Sequence, residues 1–225
     1  MGKKVAAYQA EHFPSCKPLP GVPSLLNTLA SLSPSVHIAL ATSSHRRNYE
    51  LKTKHLQDVF VLFPEENVVV GDDPRIGAGR GKPAPDIYLL ALETVNARIR
   101  KTGGKEIYPE ECLVFEDSVP GVEAGRRAGM QVVWVPHPGL LNEYRGREKE
   151  VLAGLTGEHK DSDEGEKLVK EVKDDVEGKE ERLHARIRGR PGEVEDGWAV
   201  LLGSLEEFEY EYFGIRRGGG ESASL

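Results

Sequence analysis

Three short polar segments hold residue types that can bind a phosphate group or a divalent cation: Thr42-Ser43-Ser44, Lys82 and the adjacent carboxylates Glu116-Asp117. Hydroxyls and backbone N–H groups at the start of a helix form an anion site. A lysine near carboxylates can hold a phosphate as a point charge. Magnesium prefers hard oxygen ligands and often takes one or two carboxylates together with phosphate oxygens and water. Together, the hydroxyl, lysine and carboxylate residues indicate a site that binds a phosphate group and a divalent cation.

Each segment also has an ordinary structural interpretation, which the residues alone leave open. Thr42-Ser43-Ser44 could be a simple helix N-cap, and Asp117 could cap the helix that follows it. Lys82 could be a surface lysine. A nucleotide-binding P-loop around Lys82 is excluded, because Ile76 stands where its first glycine belongs and Pro83 replaces the required Ser or Thr.

Hydrophobic patterning predicts the elements that position these segments. Unbroken apolar runs predict buried strands, and apolar residues at helical spacing predict amphipathic helices. The predicted strands cover 36–41, 68–70, 113–115 and 131–135, and helices are predicted over 20–33, from 86 onward and over 119–129. Strands alternating with helices predict an α/β fold with a parallel sheet flanked by helices. The functional crevice of such a sheet lies beyond the carboxyl ends of its strands, where the polar groups are Thr42-Ser43-Ser44, Asp72-Asp73 and Glu116-Asp117.

Composition excludes several other classes of protein. The 225 residues carry a net charge of -7, which argues against a general nucleic-acid binder. No stretch approaches the roughly 18 apolar residues of a membrane span. Cys16 and Cys112 are too few for a disulfide framework. We expect a cytoplasmic protein that acts as a monomer, has no nucleic-acid or membrane partner, and binds a small phosphorylated substrate.

The order of the motifs matches a known family. The chain contains ALATSS at 39–44, VVVGDDP at 68–74, GKPAPDIYL at 81–89, CLVFEDSVPGVEAG at 112–125 and AGMQVVWVP at 128–136. With these strings it resembles the haloacid-dehalogenase-like (HAD) phosphatases, and among them the pseudouridine-5′-phosphatases and their fungal sugar-phosphatase-like relatives. The resemblance implies a Rossmann-like parallel sheet and Mg²⁺-dependent hydrolysis of a small phosphomonoester, such as a pseudouridine 5′-phosphate-like nucleotide or a sugar phosphate.

The resemblance also implies roles for individual residues. Thr42 would donate its hydroxyl to the transferring phosphoryl group, and the Ser43 backbone would assist. Lys82 would neutralise charge on that group and on the nucleophile. Asp117 would bind Mg²⁺, with Glu116 acting directly or through water.

One family motif has no match in this sequence. The resemblance implies a nucleophile that is the first Asp of an Asp-x-Asp-Gly-Thr motif ending the first strand, with a helical cap after it. The only Asp-x-Asp here, Asp161-Ser162-Asp163, lacks both a preceding apolar strand and the Gly-Thr. We therefore expect a sheet without its first, central strand and no aspartyl-phosphate from this chain alone. The alternative function is a catalytically inactive remnant, or a module that binds phosphate and metal.

These considerations divide the chain into four parts. Residues 1–17 are predicted to be a remnant of the cap, and 18–156 a partial HAD-like core. Residues 157–190 are dominated by charged side chains and are predicted to be a disordered insertion. Residues 191–225 are predicted to be a C-terminal tail that packs on the core.

Overall fold

The computed structural model describes residues 2–32, 36–157 and 192–216. Its helices are α1 (Gly2–His12), α2 (Val22–Ser31), α3 (Arg46–Thr53), α4 (Gln57–Phe60), α5 (Asp86–Lys101), α6 (Val119–Arg127), α7 (Pro138–Glu143) and α8 (Glu148–Ala153). Its strands are β1 (Leu40–Ala41), β2 (Val68–Val69), β3 (Leu113–Glu116), β4 (Gln131–Trp134) and β5 (Ala199–Leu201). Short 3-10 turns lie at Phe13–Ser15, Glu65–Asn67, Pro109–Glu111 and Tyr210–Phe213.

All strand pairs are parallel, and they form two separate sheets. β1 pairs with β2, and β4 lies between β3 and β5 in the second sheet. The predicted α/β class with parallel strands and flanking helices is confirmed. Within the described ranges, no backbone pairing joins β1 to β3.

The buried core lies against the second sheet and extends to β2. Val132, Val133 and Trp134 of β4 are at most 1% exposed, as expected for a strand covered on both faces. On α5, Ile87, Ala91 and Val95 are buried, which confirms the helical stripe expected from the sequence. A second apolar cluster joins α2, the end of β4 and the segment after β5, with its buried members at Leu25, Leu29, Val133, Val135, Leu205, Phe208 and Tyr210.

The first strand is shorter than predicted. The apolar run 36–41 forms a ladder only at Leu40 and Ala41, and Val36 is 37% exposed. Among the described residues β1 pairs with β2 alone, so the start of the run has no second strand of that part of the chain to bury it. The prediction of a fully buried strand over 36–41 was therefore wrong in its extent.

The described C-terminal residues are anchored by a buried ion pair. Arg126 of α6 binds Asp196, and their side chains are 1% and 3% exposed. Asp196 also accepts backbone N–H bonds from Gly192, Glu193 and Trp198 at 3.0, 3.1 and 2.9 Å. These contacts fix the turn that leads into β5.

Most of the charged segment predicted over 157–190 lies outside the described residues, as does the Asp161-Ser162-Asp163 sequence. The predicted division into four parts stays a prediction. No helix in the described ranges is both long and apolar enough to cross a membrane.

Candidate active site

The turn after β1 holds the first polar segment. Thr42 N donates to Val69 O over 3.0 Å, and Gly71 N donates to Ser44 O over 2.9 Å, so the turn is tied to the end of β2. A Cβ on Gly71 would lie 2.2 Å from the carbonyl oxygen of Ser43. The close approach of the two turns therefore requires glycine at position 71.

None of the hydroxyls in this turn caps α3. The N-cap position is His45, whose side chain makes no capping bond, and Asp72 Oδ1 accepts from Arg46 N at 2.8 Å. Thr42 Oγ1 instead accepts from Ser44 N at 3.2 Å. The interpretation of this segment as a simple N-cap was wrong, and its hydroxyls stay at the carboxyl end of β1.

Lys82 joins the two sheets. Its Nζ donates to the carbonyl oxygen of Ala41 over 3.1 Å and to Glu116 Oε1 at the end of β3. The Lys82 side chain is 8% exposed, so the interpretation as a surface lysine was wrong. Lys82 Nζ also lies 4.7 Å from the centre of the Tyr88 ring, a cation–π contact.

Glu116 is a buried carboxylate surrounded by donors. Besides Lys82, the hydroxyl of Tyr88 donates to Oε1, and Ser118 donates to Oε2 through N at 3.3 Å and Oγ at 2.9 Å. A Cβ on Gly121 would lie 2.0 Å from the Glu116 carboxyl carbon. The first turn of α6 therefore packs directly on this carboxylate.

Sequence reasoning missed the contribution of Tyr88. Burial and the nearby negative charge of Glu116 raise the pKa of Tyr88 well above its ordinary value, so its hydroxyl remains a donor. The available signal was its position on α5, six residues after Lys82, on the buried side of the helix.

Asp117 is exposed, unlike Glu116. It does not cap α6, because Ser118 is the N-cap and its side chain accepts from Gly121 N, so that interpretation of Asp117 was wrong. Loss of surrounding water and the neighbouring charge of Glu116 raise the pKa of Asp117, while a bond from its own backbone, Lys82 and Lys52 lower it. A bound cation would relieve the repulsion between the two carboxylates.

The two carboxylates fit a site that Mg²⁺ shares with a phosphate group. The ion often takes only one or two protein carboxylates and completes its shell with phosphate oxygens and water. Across the described ranges, no three His, Cys, Asp or Glu side chains converge into a protein-only metal cage. Asp117 can offer its oxygens to a cation, whereas Glu116 is oriented by Lys82 and Tyr88.

Lys52 of α3 adds a cation that the sequence reasoning overlooked. Its Nζ donates to Ser44 Oγ over 3.0 Å and lies 4.6 Å from the centre of the Phe13 ring. The stretch from His45 to Leu56 looked like an ordinary charged helix, and nothing in its spacing marked Lys52.

The fold and site define a parallel α/β protein with hydroxyl, lysine and carboxylate groups at the carboxyl ends of β1 and β3. The family model of the haloacid dehalogenase-like hydrolases matches residues 3–129. The chain therefore belongs to the haloacid dehalogenase-like hydrolase family.

Curated relatives support this membership. The chain is 45% identical over 134 residues to an uncharacterised protein of Schizosaccharomyces pombe, a match covering 60% of this chain and 53% of that protein. It is 44% identical over 148 residues to a probable pseudouridine-5′-phosphatase of Saccharomyces cerevisiae, covering 66% and 59%. It is 37% identical over 143 residues to a mitochondrial (DL)-glycerol-3-phosphatase of Arabidopsis thaliana, covering 64% and 44%. The chain thus spans about half the length of these relatives.

Proposed function

We propose that this chain forms the phosphate- and magnesium-binding part of a phosphatase that hydrolyses a small phosphomonoester. The observation that carries the proposal is the meeting of Lys82, Glu116 and the end of β1 at one point between the two sheets. Pseudouridine 5′-phosphate-like nucleotides and sugar or polyol phosphates are the proposed substrates, in line with the names of the yeast and plant relatives.

Thr42 and Ser43 provide neutral donors for the phosphoryl group. Thr42 Oγ1 accepts a bond from Ser44 N, which leaves the hydroxyl proton of Thr42 to donate to a phosphoryl oxygen. The backbone N–H of Ser43 assists it. Donors that are fixed before substrate binds stabilise the charge that moves onto the equatorial oxygens during phosphoryl transfer.

Lys82 provides positive charge to the same group. An ammonium has three donors, and the bonds to Ala41 and Glu116 use two of them. The third is available to a phosphoryl oxygen. Because the side chain is nearly buried, its charge is poorly screened and acts strongly on a bound phosphate.

Asp117, with Glu116 beside it, is the proposed Mg²⁺ site. When bound there, Mg²⁺ would clamp the phosphate and offset its negative charge. Glu116 also holds Lys82 in place, so this carboxylate serves both the cation site and the lysine.

The nucleophile is proposed to be an aspartate outside these 225 residues, carried by a strand between β1 and β3. The lack of backbone pairing between those strands in the described ranges, and their connection through Lys82, support this position. Attack by that aspartate on phosphorus would form an aspartyl-phosphate and release the substrate's alcohol, and water would then hydrolyse the acyl phosphate.

The test compares this chain with a fusion protein. In the fusion, the N-terminal strand and cap of the Saccharomyces cerevisiae relative precede this chain. Release of phosphate from p-nitrophenyl phosphate is measured with Mg²⁺ and with EDTA. We expect turnover only by the fusion with Mg²⁺, and a loss of at least a hundredfold, about 3 kcal/mol of transition-state stabilisation, in Asp117→Ala. The proposed site would be refuted if the folded fusion showed no turnover, or if Asp117→Ala left its turnover unchanged.

The alternative is an inactive module that binds phosphate and metal. It is favoured by the pairing of Lys82 with Glu116, which keeps the binding groups together without a nucleophile. Mg²⁺-dependent hydrolysis by the unfused chain, abolished in Asp117→Ala, would exclude this alternative. Phosphate binding without turnover by the unfused chain would favour it.

A further inference from the structure

We propose that Lys52 is a second phosphate-binding cation of the site, which holds a phosphate oxygen that Lys82 does not reach. This inference rests on the proposed function, because it assigns a further ligand of the same phosphate group. Lys52 lies eight residues after Ser44 along the chain, on α3, whereas Lys82 approaches from the loop before α5.

The position of the Lys52 ammonium is fixed by two contacts. Ser44 Oγ accepts from Nζ at 3.0 Å, and the Phe13 ring lies 4.6 Å from the same atom. Ser44 belongs to the turn that also carries Thr42, so the ammonium lies at the carboxyl end of β1. A hydroxyl that accepts from Lys52 still has its own proton to donate, and Ser44 can therefore add a second donor beside the lysine.

Lys52 forms no ion pair with a carboxylate among the residues that the structure describes. The bond to Ser44 uses one of its three donors. Lys82 differs from Lys52 because its ammonium is ion-paired with the Glu116 carboxylate. Within the described ranges, Lys52 is thus the lysine of this site that is not paired with a carboxylate, and its partial burial limits screening by solvent.

Lys52 and Lys82 both approach the carboxyl end of β1, Lys52 through Ser44 Oγ and Lys82 through the carbonyl oxygen of Ala41. Thr42 lies between Ala41 and Ser44 along the chain, so a phosphate bound at Thr42 would lie in the field of both lysines. A phosphomonoester dianion has three peripheral oxygens, so two lysines and one metal ion are matched to it in number.

The test is equilibrium dialysis of inorganic phosphate against the full 225-residue chain with MgCl2 at low ionic strength. Lys52→Met removes the charge and keeps an unbranched side chain that can pack against Phe13. We expect its Kd for phosphate to rise tenfold or more, about the size of one charge-assisted hydrogen bond. Lys52→Arg should retain most of the affinity. Lys54→Met, an exposed lysine two residues further on, is the matched control and should bind as the unsubstituted chain does.

A structural role for Lys52 makes different predictions. If Lys52 only orients Ser44, then Ser44→Ala should weaken binding as much as Lys52→Met, and the double variant should be no worse than either. Direct binding predicts a smaller loss in Ser44→Ala and a larger one in the double variant. An unchanged Kd in Lys52→Met would overturn the inference.

The proposed function fails in a distinguishable way. If Lys82→Arg and Asp117→Asn leave phosphate binding unchanged while Lys52→Met weakens it, the proposed site is wrong and Lys52 belongs to another anion site. If those two variants weaken binding and Lys52→Met does not, the proposed site stands and only the role of Lys52 is refuted. Absence of phosphate binding by the unsubstituted chain would overturn both.

Discussion

Lys82 donates to the backbone carbonyl of Ala41 over 3.1 Å, and through this bond one lysine links the end of β1 to the carboxylate at the end of β3. The two sheets share no backbone pairing in the described ranges, so the bond to Ala41 and the ion pair with Glu116 act where ladder bonds would otherwise be expected. The same ammonium is the proposed ligand of the phosphoryl group. If Lys82 binds the phosphoryl group as proposed, stability and binding are coupled at this residue.

Removing Lys82 should destabilise the chain strongly. Lys82→Met leaves Glu116 as a buried charge without its cation, and breaking a buried pair in this way costs about 3–5 kcal/mol. We expect that decrease in the free energy of unfolding, measured by urea denaturation followed by circular dichroism. Adding Glu116→Gln should restore part of it, because the uncompensated charge is then removed. A loss below about 1 kcal/mol in Lys82→Met would contradict the buried pair, since that is the range of exposed ion pairs.

Gly121→Ala should disturb the carboxylate although alanine normally favours helices. Replacing glycine by alanine inside a helix usually stabilises it by about 1 kcal/mol. Here the added Cβ would lie 2.0 Å from the Glu116 carboxyl carbon, so either the first turn of α6 or the side chain must move. We expect a lower urea midpoint and weaker phosphate binding. Gly203→Ala is the matched control, because no atom lies within 4 Å of the added Cβ there; equal behaviour of the two variants would contradict the packing.

Much of the fold was predictable because apolar patterns report burial. The runs in β2, β3 and β4 are continuous, and all three strands appear near their expected positions. The extent of β1 was not predictable, since burial of Val36 depends on whether a neighbouring strand covers it. β5 was also missed as a strand: its burial follows from pairing with β4 across about 65 residues of chain, and no local pattern encodes such a contact.

The sequence motifs predicted the main residues of the candidate site, but not the residues that contact them. Thr42, Lys82 and Glu116 stand out by type and order, and the structure brings Lys82 and Glu116 together. The contact of Tyr88 with Glu116 spans 28 residues of chain, and only the position of Tyr88 on the buried side of α5 hinted at it. Lys52 stands in a charged helix whose spacing does not distinguish it from its neighbours.

Asp196 should matter for stability because it is the partner of a buried guanidinium. Burial lowers the pKa of Arg126, and the charge and hydrogen bond of Asp196 oppose that shift. Asp196→Asn removes the counter-charge while keeping the shape, and we expect it to lower the free energy of unfolding by about 3–5 kcal/mol. Glu93→Gln, which breaks an exposed pair with Arg100, is the control and should leave the urea midpoint nearly unchanged. Similar effects of the two substitutions would contradict the burial of Arg126.

Cys112 should react slowly with alkylating agents in the folded chain. Burial, followed by the charges of Glu111 and Glu110, raises its pKa to about 12. At pH 8 only about one thiol in ten thousand is then the reactive thiolate, and the rate should rise about tenfold per pH unit from pH 7 to 10. Because the folded chain holds this proton more tightly, Cys112 favours folding below the unfolded pKa of about 8.5 and loses that contribution as pH rises towards 12.

Alkylation of Cys112 can be followed by mass spectrometry of the peptide that contains it. The control is the urea-unfolded chain, in which the rate of the same cysteine should level off near pH 9. A plateau at that pH in the folded chain would contradict the raised pKa.

The most direct test of the account is the 5′ end of the transcript that encodes this chain, mapped in cells that express it. We propose that the nucleophilic aspartate lies on a strand between β1 and β3 that is supplied from outside these residues. We therefore expect in-frame codons upstream of Met1 that encode an apolar strand ending in Asp-x-Asp-Gly-Thr, followed by a helical segment. A transcript that starts at Met1, or that has an in-frame stop codon directly before it, would contradict a complete phosphatase and favour the inactive binding module.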